Sequence, residues 1–172
     1  MTHLVEGEDV KKHIVAALVC LVLSLAVLNA HVIVTPRESV AAAEQIYSVS
    51  VPNELTVSST MLELEIPAGM HVMQIATGDG FTFDVKKDGN QIVSITWKKE
   101  IKPKERAVFT FTAHNPQPGA LPWKAHQTFA DDSMKHWIGE RGTKEPASVT
   151  TIVPKGEATK APPAADPAHK HP

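Results

Sequence analysis

Met61-Leu-Glu-Leu-Glu-Ile66 alternates apolar and polar side chains without a break, and Val108-Phe-Thr-Phe-Thr112 repeats the pattern with Phe109 and Phe111 on one side. Period-two alternation sends successive side chains to opposite faces of a strand, one towards a core and one towards water. Tyr47-Ser-Val-Ser-Val51 follows the same rule. Working outward, strands are expected at His31–Thr35, Gln45–Val51, Thr60–Ile66, His71–Thr77, Phe81–Lys86, Gln91–Trp97, Ala107–Ala113, Trp123–Phe129 and Ser148–Val153. Turn residues separate them: Pro67-Ala-Gly69, Gly78-Asp-Gly80, Asp88-Gly-Asn90, Pro103 and Asn115-Pro-Gln-Pro-Gly119. Asp88-Gly89 between two alternating runs marks a hairpin. Ser39–Gln45 is expected to form one or two helical turns at most, and no segment sustains a helical period. Many short strands at this spacing predict an all-β fold, a two-sheet β-sandwich of antiparallel strands.

The two ends of the chain do not share this pattern. Lys11 and Lys12 precede an uninterrupted apolar run from Ile14 to Leu23, extended past Ser24 through Leu28, which then meets Asn29-Ala30. A basic start, an apolar stretch of about 15 residues and a small residue at the exit describe a secretory signal peptide. The run falls short of the roughly 20 apolar residues that a spanning helix needs. Residues 1–30 are therefore expected to be removed by cleavage after Ala30, leaving a folded domain over 31–154. Residues 155–172 hold four prolines and no large aliphatic side chain, and are expected to be a disordered Pro/Ala/His tail ending His169-Lys-His171-Pro. With the signal gone, no membrane span is expected, and the protein would be exported to a periplasmic or extracellular space.

Composition narrows the function classes. Seventeen Lys+Arg against nineteen Asp+Glu leave a formal charge of -2, with no basic footprint for nucleic acid. One cysteine, Cys20, excludes a disulfide framework and a Cys-rich zinc module, and it leaves with the signal. The chain carries no nucleophile elbow, no Gly-rich phosphate loop and no His-Glu-x-x-His motif, so no enzyme activity is expected.

Cleavage after Ala30 would make His31 the first residue. A free N-terminal histidine presents its α-amine and imidazole Nδ1 in one chelate ring. Their reference pKa values, near 7.7–8.0 and 6.5, leave little proton competition at neutral pH. Nitrogen donors in a tetragonal arrangement suit Cu(II), which also leads the divalent affinity order. One histidine leaves the site incomplete, and a further ligand or a supporting group is needed.

His31-Val-Ile-Val-Thr-Pro36, Tyr47-Ser-Val-Ser-Val-Pro-Asn-Glu54, Glu63-Leu-Glu-Ile-Pro67, Trp97, Phe109-Thr-Phe111, Trp123-Lys-Ala-His-Gln-Thr-Phe129 and Trp137-Ile-Gly139 stand in this order along the chain. This set resembles the YcnI-like family of exported copper-binding domains from His31 to about Val153. The resemblance implies a Greek-key β-sandwich related to immunoglobulin and fibronectin III domains, with a Cu(II) site called a monohistidine brace. Position by position, the N-terminal ligand falls on His31, the acidic ligand on Glu54 in the Val-Pro-x-Glu motif, and the neighbouring tryptophan on Trp137 in the Trp-x-Gly motif. Glu54 would ligate the metal or hold the amine, while the Trp137 ring would lie over the cation within about 6 Å and shield it from water. The implied partners are other exported copper proteins, CopC-like, CopD-like or PCuAC-like. Many family members carry a C-terminal transmembrane helix that these residues do not show.

Glu44, nearer His31 in sequence, is the rival acid. Met70-His71-Val-Met73 offers thioether beside imidazole, but on a strand Met70 and Val72 face one way and His71 and Met73 the other, so the two methionines do not converge and core packing is expected instead of a metal site. His114, His126 and His136 read as surface or satisfied histidines, and Trp97 and Trp123 as core. Met134 and His136 flank Trp137 and are candidates to line the same mouth. The expected function is thus an exported Cu(II) chaperone or carrier in copper homeostasis. A copper-dependent enzyme of the lytic monooxygenase type, which needs a second histidine, and a structural or adhesive sandwich without metal are the alternatives.

Overall fold

The computed structural model describes residues 31–156, so the expected signal peptide and most of the tail lie outside the described residues. Twelve strands and no helix are found among the described residues. In chain order they are β1 (Ile33–Thr35), β2 (Glu38–Val40), β3 (Glu44–Pro52), β4 (Ser59–Glu65), β5 (His71–Ile75), β6 (Thr82–Asp88), β7 (Gln91–Ile101), β8 (Arg106–His114), β9 (Gly119–Trp123), β10 (Ala125–Phe129), β11 (Met134–Trp137) and β12 (Ser148–Val153). They form a four-stranded sheet β1-β3-β8-β5, a five-stranded sheet β11-β10-β4-β7-β6 and a three-stranded sheet β2-β12-β9. Successive strands such as β3 and β4, or β7 and β8, pass to different sheets instead of pairing. This is the connectivity of an immunoglobulin-like Greek-key sandwich.

Alternation places the core where the sequence predicts it. Tyr47, Val49 and Val51 of β3 and Phe109 and Phe111 of β8 are buried, as are Leu62 and Leu64 of β4 and Ile95 and Trp97 of β7. Trp97 stacks on Phe109 with ring centroids 5.0 Å apart and planes 9° from parallel. Tyr47 lies 5.4 Å from Phe111 and 5.0 Å from Trp123, so four strands meet through aromatic contacts. Such offset and edge arrangements add to the gain from burial alone. Met70 is buried while His71 and Met73 are exposed, as the strand pattern required.

The Asp88-Gly89 signal forms its hairpin: Asp88 pairs with Gln91, and the two loop residues are Gly89, at φ 57°, and Asn90. Edge strand β6 carries Lys86, Lys87 and Asp88 exposed, which discourages pairing with another chain.

Three local expectations are corrected. Ser39–Gln45 is not helical. Glu38–Val40 pairs in parallel with β12, and the chain turns through Ala42, at φ 55°, into β3. Three residues are too short to display a period, and a partner more than a hundred residues away determines their conformation. The single strand expected over Trp123–Phe129 is two, β9 and β10, because the chain changes sheets at Lys124. Strand β11 was not foreseen. A turn with Asp132 at φ 61° produces it, with Asp131 accepting from the Ser133 amide and hydroxyl at 3.1 and 2.6 Å.

Candidate metal centre

The position of His31 follows from the pairing of β1. Val32 and Val34 are buried and anchor the segment, while Ser148 Oγ accepts from the Val34 amide at 2.9 Å and so ties β1 to β12. Strand β1 pairs antiparallel with β3 through Ile33↔Ser50, Val34↔Val49 and Thr35↔Ser48. Continuing that register by two residues sets His31 beside Pro52, at the end of β3 that leads to Glu54. Glu44 stands at the opposite end of β3, roughly 26 Å away at the usual rise per strand residue. The register therefore separates the two acids: Glu54 follows the end of β3 that His31 reaches, and Glu44 does not.

Trp137 comes to the same place from the other sheet. It ends β11 and is buried, and its ring centroid lies 5.3 Å from that of His31 in an edge-on arrangement at 67°. Its indole Nε1 donates to Gln127 Oε1 at 3.3 Å. Gln127, fully buried on β10, donates in turn from Nε2 to the Pro52 carbonyl at 3.0 Å. A single amide thus links Trp137 to the backbone two residues before Glu54. Lys135 Nζ sits 5.5 Å from the Trp137 centroid, a cation already placed against this ring.

The turn that carries Glu54 is organised by its neighbour Asn53, which is buried. Asn53 Nδ2 donates to the carbonyls of Val57 and Ile101, both at 2.8 Å, and its Oδ1 accepts from the Leu55 amide at 3.0 Å. The amide and carbonyl of Asn53 also bond Glu105 and Lys104. Glu54 projects from this fixed turn into solvent, with no hydrogen bond from another described residue.

Gly139 of the Trp-x-Gly motif has a steric reason. A Cβ there would meet Thr143 Oγ1 and come within 3.0 Å of the Glu145 carbonyl oxygen. The Gly139 amide donates to that same carbonyl at 2.9 Å, folding residues 140–147 back against β11. The folded-back segment and β1 border a cleft of about 280 Å³ lined by His31, Val32, Arg37, Arg141, Pro146 and Ser148 among others.

Of the predicted site residues, His31 and Trp137 are in ring contact, and Glu54 is linked to them through Gln127, Pro52 and Asn53. Met134 and His136 do not share the mouth: strand alternation exposes both, whereas Trp137 points inward. Sequence reading missed Gln127 as the connecting residue, and a lone glutamine in an alternating run offers no signal for that role. It also missed a cross-strand pair on the outer face, His126 opposite His136, because register is not legible from spacing. Among the described residues, no three His, Cys, Asp or Glu side chains gather around one point. A site at His31 would thus depend on the second nitrogen that cleavage before His31 creates, since within the full chain that nitrogen is a peptide amide.

Comparison with known proteins agrees with this architecture. The family model described as a domain of unknown function (DUF1775) matches residues 31–154. The chain is 30% identical over 135 residues to the protein named copper-binding protein CutI from Bacillus subtilis (strain 168); the match covers 76% of this chain and 66% of that protein, just under two thirds of its length. Among solved structures, a protein from Nocardia farcinica described as having an immunoglobulin-like fold superposes with a TM-score of 0.63 at 19% identity, covering 72% of this chain and 98% of that one. The matched residues and the order of the motifs agree: this chain belongs to the DUF1775 family, the YcnI-like family that its motifs resemble.

Proposed function

We propose that this protein is an exported copper-binding protein that carries Cu(II) on the first residue of its processed chain. His31 would supply the α-amine and Nδ1, Glu54 a carboxylate oxygen, and Trp137 a ring wall that keeps water from one side. The observation that carries the reading is the contact between His31 and Trp137, two motif residues more than a hundred positions apart with ring centroids 5.3 Å from each other. The β1–β3 register supports Glu54 over Glu44 as the acid. The relative named as copper-binding supports the choice of metal. Two nitrogens from one residue with a carboxylate oxygen make a donor set suited to tetragonal Cu(II).

The role is that of a carrier or chaperone in copper homeostasis, without catalysis, in a periplasmic or extracellular space, handing copper to another exported copper protein. A lytic monooxygenase site needs a second imidazole at the N-terminal histidine, and the ring against His31 is an indole. The intact mass of the exported protein tests the premise. A chain starting at His31 agrees with this reading, and any other start removes the chelate.

A further inference from the structure

Alternation and register place a row of chemistry-bearing side chains on the outer face of the five-stranded sheet. His126 of β10 pairs with His136 of β11 on one side and with Glu63 of β4 on the other. Glu65, two residues along β4 on the same face, brings Oε1 to 2.9 Å from His126 Nε2. The two imidazoles then face each other through Nδ1, 2.8 Å apart, with ring planes inclined at 68°. None of these residues belongs to the candidate site at His31.

The proton positions follow from the partners. A carboxylate only accepts, so Nε2 of His126 carries the proton directed at Glu65. In the neutral ring, that leaves Nδ1 of His126 as a lone pair aimed at Nδ1 of His136. At 2.8 Å the two nitrogens share either a proton carried on Nδ1 of His136 or, where both present lone pairs, a metal ion. At metal–nitrogen bonds of about 2.0–2.1 Å, this separation subtends roughly 85–90°, whereas a tetrahedral ion would spread the pair to about 3.3 Å. The separation matches two adjacent positions of a tetragonal ion. A histidine ligand whose other nitrogen is held by a carboxylate is the usual arrangement in metal sites, fixing tautomer and ring orientation. Glu63 and Glu65 add negative charge beside the pair. The side chain of His126 is only 19% exposed, which limits its freedom to turn away.

We propose that His126 and His136 form a second metal site, separate from His31, that binds a tetragonal divalent ion, Cu(II) or Ni(II), through both Nδ1 atoms. Glu65 positions His126, and water fills the remaining coordination places. A second cross-strand histidine pair, His71 opposite His114 on the four-stranded sheet, has no ring contact or hydrogen bond between its members and serves as an internal control.

The test uses the chain from residue 31 through Pro172 with one N-acetylated residue added before His31, so that no terminal amine is left to chelate while the outer face and tail stay intact. Titration with Cu(II) alone should still show one bound equivalent, with nitrogen hyperfine structure from two imidazoles in its electron paramagnetic resonance spectrum. His126→Gln or His136→Gln should weaken that equivalent at least tenfold, Glu65→Gln by about 10–100-fold, and His71→Gln not at all. If no equivalent binds, if it survives both histidine substitutions, or if it disappears only when residues 155–172 are deleted, the second site does not exist. Should the variants fold poorly, substoichiometric Cu(II) on the unsubstituted extended chain should broaden the His126 and His136 ring resonances before those of His71 and His114. Equal broadening of all four overturns the proposal. Failure of the His31 reading is a different outcome, in which the added residue leaves the tight first equivalent of the processed chain unchanged.

Discussion

The imidazole of His31 stands edge-on against the indole of Trp137, and the same indole is hydrogen-bonded through Gln127 to the Pro52 carbonyl. One buried amide therefore fixes both the aromatic wall of the candidate copper site and the backbone that leads to its acid.

Replacing Gln127 by Leu keeps the volume but leaves the Trp137 Nε1–H and the Pro52 carbonyl unpaired in the core. Two buried groups without partners should cost roughly 2–4 kcal/mol, read as a lowered urea midpoint at unchanged slope. Binding of Cu(II) to the processed chain should weaken in the same variant, because the Trp137 ring and the Glu54 turn lose their common tie. A variant as stable as the parent would show that Gln127 does not hold this junction.

Tyr47 gives the fold a defined alkaline limit. Burial pushes its hydroxyl up to about 12 from 10.0, with a Ser39 hydrogen bond working the other way. The unfolded chain releases this proton near pH 10 and the native chain only near 12, so the Tyr47 contribution to stability is constant below pH 10 and is lost as pH rises between the two. That contribution is on the order of 2–3 kcal/mol. Tyr47 is the single tyrosine of the chain, so tyrosinate absorbance follows it directly. Tyr47→Phe should abolish this segment of the pH profile. It should also lower stability at neutral pH by about 1–2 kcal/mol, because Asn115 Oδ1 loses its donor at 2.6 Å.

Two buried tryptophans should respond differently to the same change. Trp123 Nε1 donates to Thr150 Oγ1 at 3.0 Å, whereas Trp97 Nε1 is buried with no hydrogen-bond partner among the described residues. Both substitutions to Phe remove similar volume, but only Trp123→Phe also breaks a hydrogen bond. Thermal unfolding should therefore show Trp97→Phe less destabilising by about 1 kcal/mol; the reverse order would contradict the core described.

Gly139→Ala forces a methyl group against Thr143 Oγ1 and the Glu145 carbonyl. The chain must shift, and overpacking of this kind costs about 1–3 kcal/mol. The displaced segment carries Arg141 and Pro146 of the cleft beside His31, so Cu(II) affinity of the processed protein should fall together with stability. Loss of stability with unchanged affinity would separate that segment from the site.

How much could be read beforehand depended on the range of the interaction that determines each element. Met61–Ile66 and Val108–Thr112 were legible because alternation is local and each strand is long enough to show it. Strand β2 was not, since three residues have no period and their partner β12 comes more than a hundred residues later. The resemblance alone proposes His31, Glu54 and Trp137, while the support for Glu54 over Glu44 comes from the β1–β3 register, which spacing does not reveal. Pairing across strands likewise brings His126 to His136, two residues that spacing alone left scattered.

The central claim is that the α-amine of His31 binds copper, and isothermal titration of Cu(II) into two chains that differ by one residue tests it most directly. The chain beginning at His31 should bind a first equivalent tightly, and the chain with one N-acetylated residue added before His31 should lose that tight equivalent. Equal affinity for the first equivalent in both chains would contradict the account.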